Sequence, residues 1–200
     1  MGLPLLIVAA GKSRRFGFAD KRFTVLPHGG LLINALVRRG RKAGLDVHVV
    51  IDADDDVSAQ IDAPCLKVAQ ASLGMGSSIA NGVSLLAEHS TASAILIMPV
   101  DLPLLRVASL ISVAAAAGSE QLVIPRFNGQ AGHPVAFGRA FWSQLQSLSG
   151  ESGARSVVSA ALSAQRQFLE LSDEGVIADA DTEAEMIALL AKLKPRLRAE

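Results

Sequence analysis

The sequence has no tyrosine, a single tryptophan (Trp142) and only 4% aromatic residues in all. That is too few for the stacked aromatic platform that single-stranded nucleic acid favours. There is one cysteine, Cys65, which excludes an internal disulfide and any cysteine-based zinc site. Charge of one sign is also missing. The 19 Lys and Arg balance 19 Asp and Glu, so bulk electrostatics give no handle for nucleic acid or an anionic membrane. Only the stretch 192–198 is locally basic, and such a stretch ordinarily just stays solvated. The first apolar run, 3–10, is too short to span a bilayer. It lacks a basic leader and runs straight into a glycine loop, which makes it a poor signal peptide. A cytoplasmic location is therefore expected. No internal repeat, low-complexity tract or long Pro/Gly linker is visible.

What is present is apolar and periodic. The chain has 200 residues, half of them hydrophobic, which suits a single domain over 1–200 with a sizeable core. Short apolar or β-branched runs at 5–10, 47–51, 66–69 and 94–98 read as strands. Helical patterns at 31–43, 77–88 and 106–117 alternate with them, and Ser77 or Ser78 stands where it could cap the second. Strands at 122–125 and 135–137 flank a glycine-rich turn. Helices at 139–148 and 154–162, a strand at 167–171 and a helix at 182–193 complete the pattern. Alternation of this kind, with continuously apolar strands, predicts a three-layer α/β/α nucleotide-binding (Rossmann-like) fold around a mostly parallel central sheet. Ligands of such sheets sit at the carboxyl ends of the strands.

Those ends carry the informative residues. The first loop is Ala9-Ala10-Gly11-Lys12-Ser13-Arg14-Arg15-Phe16-Gly17, with Asp20-Lys21 beyond. Small residues let backbone N–H groups approach phosphate oxygens, and the cations can balance a triphosphate. Gly11-Lys12-Ser13 imitates the end of a P-loop, but that motif needs a glycine where Leu6 stands inside the strand. The second loop, 70–78, brings Gly74-Met75-Gly76-Ser77-Ser78 to a helix start, where hydroxyls and N–H groups offer donors. It lacks the third glycine of a dinucleotide fingerprint and follows the third strand, not the first. Pro99-Val100-Asp101-Leu102-Pro103 fixes one carboxylate after the strand 94–98, a good magnesium ligand or, more plainly, a helix cap. Asp179-Ala180-Asp181-Thr182 could supply a second carboxylate, or simply cap the last helix. His133, between Gly132 and Pro134, reads alone as a turn residue. His28, His48 and His89 have no partners at metal-ligand spacing. Ser13, Ser77 and Ser78 sit in no nucleophile elbow.

Taken in order, these motifs, with Gly132-His133-Pro134-Val135-x-Phe137 and Gly153-Ala154-Arg155, resemble the MobA-like NTP transferases. Within them the chain is most similar to the MocA-type molybdenum cofactor cytidylyltransferases, from about Leu5 to Leu193. The resemblance implies transfer of CMP from CTP to the terminal phosphate of molybdopterin, with release of pyrophosphate and a requirement for Mg²⁺. It implies that Ala9, Ala10, Gly11, Lys12, Ser13 and Arg14 hold the nucleotide, with Gly74, Gly76, Ser77 and Ser78 beside base and ribose. Arg15, Lys21 and Asp101 would be the catalytic set, Arg15 on the leaving pyrophosphate and Lys21 on the α-phosphate. Asp101 and Asp181 would hold the metal, Asp181 preferred to Asp179. His133 and Arg155 would face the acceptor. A receiving molybdoenzyme or its chaperone is a further implied partner. The chain departs from the pattern at Leu102, at Glu151-Ser152 and at Thr182-Glu183-Ala184-Glu185, mostly on the acceptor side.

The acceptor phosphate is already anionic, so the chemistry needs positioning and charge neutralisation more than a base. A guanylyltransferase using GTP remains an alternative, although Ala10 stands where that branch carries glycine. So do a sugar-phosphate nucleotidyltransferase and a non-catalytic molybdenum cofactor carrier.

Overall fold

Every residue of the apolar run that forms β1 (Pro4–Val8) is buried. Its alternate side chains serve two different cores, which is why the run is apolar on both faces. Leu5, Ile7 and Ala9 enter one core, and Leu6, Val8 and Ala10 enter the other. The computed structural model describes residues 2–11, 16, 20–69 and 71–196.

The other strands are β2 (Asp46–Asp52), β3 (Cys65–Val68), β4 (Ala94–Pro99), β5 (Leu122–Phe127), β6 (Gln130–Ala131), β7 (Val135–Gly138) and β8 (Arg166–Glu170). All eight join in one sheet, ordered β3-β2-β1-β4-β7-β5-β6, with β8 also paired to β5. The helices are α1 (Leu32–Lys42), α2 (Met75–Ala87), α3 (Val107–Ala116), α4 (Trp142–Gln146), α5 (Arg155–Ala160) and α6 (Glu183–Arg196). Leu36 of α1, Leu110 of α3 and Met186 of α6 pack into the first core. Ile79 of α2, Leu145 of α4 and Val157 of α5 pack into the second. The result is the expected three-layer α/β/α arrangement.

The sheet is parallel from β3 to β4. It then departs from that pattern. β7 runs antiparallel to both β4 and β5, and β6 antiparallel to β5. The turn between β5 and β6 has Asn128 and Gly129 with φ of 50° and 78°, the left-handed pair that a tight hairpin requires.

Two local expectations shift. The helix expected over 139–148 shrinks to α4 after a 3-10 turn at Arg139–Phe141. Helix α2 starts earlier than expected, with Gly74 as its N-cap and no side-chain cap, so Ser77 and Ser78 lie inside the helix. No helix among the described residues is long and apolar enough to cross a membrane.

Candidate active site

The carboxyl ends of β1 and β4 form the floor of a cleft of about 280 Å³. Ala9, Ala10 and Gly11 border it after β1, and Pro99, Val100 and Asp101 after β4. Lys21, Gly74, Met75 and Ser78 complete the walls foreseen from the sequence. Asp52, at the end of β2, and Glu151 also line the cleft. Neither carried a motif that would have announced it. Asp52 does, however, hold a strand's carboxyl end, the position at which ligands of such sheets gather. Lys12, Ser13, Arg14, Arg15 and Gln70 lie outside the described residues.

Lys21 and Asp101 meet across eighty residues of sequence, with Nζ donating to Oδ2 at 2.5 Å. Both side chains are largely buried, 18% and 8% exposed. Burial raises the Asp101 pKa, opposed by the Lys21 ammonium and reinforced by the negative charge of Asp179. The other oxygen, Asp101 Oδ1, is buried and has no hydrogen-bond partner among the described residues. A carboxylate held by one cation and left with a free buried lone pair is poised to accept a second cationic partner.

The segment after β8 comes to the same place. The Ala180 N–H donates to the Asp101 carbonyl at 3.2 Å, which sets Asp179 and Asp181 on either side of that contact. The Asp179 charge adds to the rise in the Asp101 pKa, against the larger opposing effect of Lys21. At Asp181 the backbone N–H donates to Glu185 Oε2, as does that of Thr182, while Thr182 Oγ1 accepts from the Glu185 N–H. This is a capping box at the start of α6. Asp179 and Asp181 thus both stand in the segment that meets Asp101, and the Asp179 charge is felt there. Among the described residues no three His, Cys, Asp or Glu side chains are grouped to hold a metal by themselves.

His133 is drawn to the same corner. Its N–H donates to the Val176 carbonyl at 2.7 Å, and a cis peptide joins it to Pro134. Burial lowers the imidazole pKa, while Asp101 and Asp179 pull it back up. Its Nδ1 is buried without a partner among the described residues. Arg155 is exposed at the first residue of α5 and does not line the cleft.

The glycines of the second loop act chiefly through backbone packing. Gly74 has φ of 113°, and a Cβ there would stand 2.6 Å from the Gly150 carbonyl. A Cβ on Gly76 would stand 2.8 Å from the Ser149 oxygen, and the Gly76 N–H donates to the Gly150 carbonyl at 2.8 Å. These two residues let the 149–151 loop close down on the start of α2, which brings Glu151 to the cleft. Ser78 lines the cleft but also donates to the Gly74 carbonyl, while Ser77 is buried away from it.

Known proteins share this architecture. A homologue of Rv0371c from Mycobacterium sp. strain JC1 is 24% identical, with 99% of this chain and 98% of that one covered at a TM-score of 0.81. A nucleotidyl transferase from Methanothermobacter (Mth528) is 17% identical, covering 100% and 99%, also at 0.81. Rv0371c of Mycobacterium tuberculosis H37Rv, in a complex with manganese, is 23% identical, covering 96% and 99%, at 0.74. No curated protein matches at a significant level. The sequence profile of the MobA-like NTP transferase domain matches residues 5–167. With a three-layer α/β/α fold and that match over most of its length, the chain belongs to the MobA-like NTP transferase family.

Proposed function

We propose that this nucleotidyltransferase moves CMP from CTP onto the terminal phosphate of molybdopterin. The observation that carries the reading is the buried pair of Lys21, from the 3-10 turn Lys21–Phe23, with Asp101, just beyond the end of β4. In the reaction an acceptor phosphate oxygen attacks the α-phosphorus of the triphosphate. The α–β phosphoanhydride bond breaks, pyrophosphate leaves with the electron pair, and no proton has to be removed from the attacking oxygen. What the chain must supply is position and charge compensation. Lys21 would sit on the α-phosphate, and Arg15 would stabilise the departing pyrophosphate. The backbone around Ala9, Ala10 and Gly11 would hold the nucleotide, with Lys12, Ser13 and Arg14 continuing that contact.

A divalent cation, Mg²⁺ by preference, fits the donor set, because Asp101 Oδ1 is a buried carboxylate oxygen with no hydrogen-bond partner among the described residues. Asp101 would hold it together with Asp179 or Asp181, Asp179 being favoured by its charge effect on Asp101. Magnesium at phosphoryl sites characteristically takes one or two carboxylates and completes its shell with substrate phosphates and water. The chemistry it supplies when bound is neutralisation of triphosphate charge. His133 and Arg155 are assigned to the acceptor side, His133 on the ground that its imidazole feels both Asp101 and Asp179.

Ala10 supports a pyrimidine. It borders the cleft at the position where the guanylyl branch carries glycine. A cytoplasmic setting, with a molybdoenzyme or its chaperone as recipient of the product, accords with this substrate pair. The test is pyrophosphate release from the four NTPs with molybdopterin and with sugar phosphates, in Mg²⁺ and in chelator. CTP with molybdopterin should be turned over fastest, and chelator should stop the reaction. Faster turnover of GTP would move the chain to guanylyl transfer. Turnover only with a sugar phosphate would replace the acceptor.

A further inference from the structure

Arg22 follows Lys21 in the 3-10 turn Lys21–Phe23, yet it does not line the cleft. It is only 6% exposed, a burial that arginine rarely reaches without partners. Its guanidinium is engaged on three sides. Nε donates to both Asp20 carboxylate oxygens at 2.9 Å, and Nη2 donates to Asp20 Oδ2 at 2.5 Å. Nη1 donates to Asp55 Oδ2 at 2.7 Å and to the Ala9 carbonyl at 2.9 Å. Asp20 in turn caps the turn, accepting from the Arg22 N–H at 3.0 Å. Burial works against the Arg22 charge, and the two carboxylates outweigh it, so its pKa is raised.

The three anchors belong to three parts of the site. Ala9 follows β1, lines the cleft, and donates its own N–H to the Val50 carbonyl at 2.9 Å. Asp55 stands just beyond β2, three residues past the cleft-lining Asp52. Asp20 and the Arg22 backbone belong to the turn that carries Lys21. One side chain therefore ties the end of β1 and the loop after β2 to the base of the lysine. Stability alone is a poor reason for such a device, since apolar residues of similar volume commonly replace buried ion pairs at no net cost. Its planar fork explains why arginine fills the position. A lysine ammonium, a single point charge, cannot meet three acceptors in these directions at once.

We propose that Arg22 is a positioning residue for nucleotidyl transfer: it clamps the Lys21 turn to the ends of β1 and β2, so that the Lys21 ammonium is held at Asp101 before nucleotide arrives. The inference rests on the reading of the site as a nucleotidyltransferase centre, and its test has one arm that does not. Arg22→Lys keeps the charge and loses the fork. In the full chain, checked for folding by its melting curve, kcat for pyrophosphate release should fall on the order of 10-fold, with KM for the nucleotide within about twofold of wild type. In a Lys21→Ala background the same substitution should cost less than about twofold, because the group being positioned is gone. Equal losses in the two backgrounds, or full activity of Arg22→Lys, would overturn the proposal.

The independent arm is the rate at which trinitrobenzenesulfonate labels Lys21, read by peptide mass mapping without substrates. Release of the clamp by Asp55→Asn, which adds no second amine beside Lys21, should raise that rate several-fold, and an unchanged rate would overturn the proposal. If Arg22→Lys fails to fold, Asp55→Asn, which weakens one anchor, takes its place with the same expected directions. Should the wild type release no pyrophosphate from any NTP, the functional reading fails, while the labelling arm still decides whether Arg22 holds Lys21.

Discussion

The two halves of the sheet build their share of the site in different ways. On the β1–β4 side, strands run parallel and their carboxyl ends open onto the same cleft, so Ala9–Gly11, Asp52 and Asp101 arrive at one edge by topology alone. On the β5–β8 side, antiparallel β7 returns from that edge, and His133 and Asp179 reach it through irregular segments pinned by backbone bonds. The parallel half places side chains through the repeat of the fold. The other half places them through particular contacts, His133 to Val176 and Ala180 to Asp101. Nucleotide handling should therefore depend on single charged groups of the first half. Acceptor handling should be spread over several weaker contacts of the second.

The sharpest way to break this comparison is Asp101→Asn. It removes a carboxylate that pairs with Lys21 and has an oxygen left for a cation. Loss of several kcal/mol of charge stabilisation corresponds to a fall in turnover on the order of 10³-fold. Steady-state pyrophosphate release would measure it. Lys21→Ala comes next, with a loss on the order of 10²-fold, comparable to removing one preorganised donor, and little change in the melting temperature. Unchanged turnover would remove Lys21 from the catalytic set.

In the second half the effects should be smaller and should separate two neighbours. Asp179→Asn should lower turnover about 10-fold and weaken the apparent affinity for Mg²⁺, since its charge reaches both Asp101 and His133. Asp181→Asn should cost no more than about 3-fold in turnover, in keeping with its place at the start of the capping box. A metal titration of both variants orders them, and a larger effect at Asp181 would restore the metal role expected for it from the sequence.

The smallest effect is a pH dependence of stability. Burial holds the His133 pKa below its ordinary value of 6.5. The unfolded chain then binds a proton that the folded chain resists, so stability falls as pH drops below about 6.5 and keeps falling towards the folded pKa. His133→Gln should flatten that acid-side slope in denaturant titrations between about pH 7 and 5, with little change above pH 7. A slope identical to wild type would mean that other groups carry the acid sensitivity.

The strands were legible because an apolar run that must face two cores has no polar side to confuse the pattern. Thus β1, β2 and β4 fall within two residues of expectation at each end. Lys21 and Asp101 were legible because charged residues beside small or proline-flanked loops stand out at strand ends. Asp52 and Glu151 were not, since an acid at the end of a strand or in a surface loop looks the same whether or not a cleft opens beside it. Arg22 was hidden by Lys21, because adjacent basic residues in a loop give no sign that one of them is buried. The helix expected over 139–148 is present but opens as a 3-10 turn at Arg139–Phe141 and ends at Gln146, the boundary detail that an apolar pattern does not specify.

By itself, then, the order of apolar runs, helical stretches and small-residue loops determined a three-layer fold with small-residue and charged loops at one edge of its sheet. Those are local regularities, repeated often enough to be read without knowing what touches what. Tertiary structure alone decided that β7 inserts antiparallel between β4 and β5 and that Lys21 meets Asp101 across eighty residues. It also decided that the segment 179–181 comes back to Asp101, with the Ala180 N–H on the Asp101 carbonyl. The physical reason is the same in each case. These choices turn on long-range contacts and on the direction a side chain takes in an irregular segment, and no periodicity along the chain encodes either.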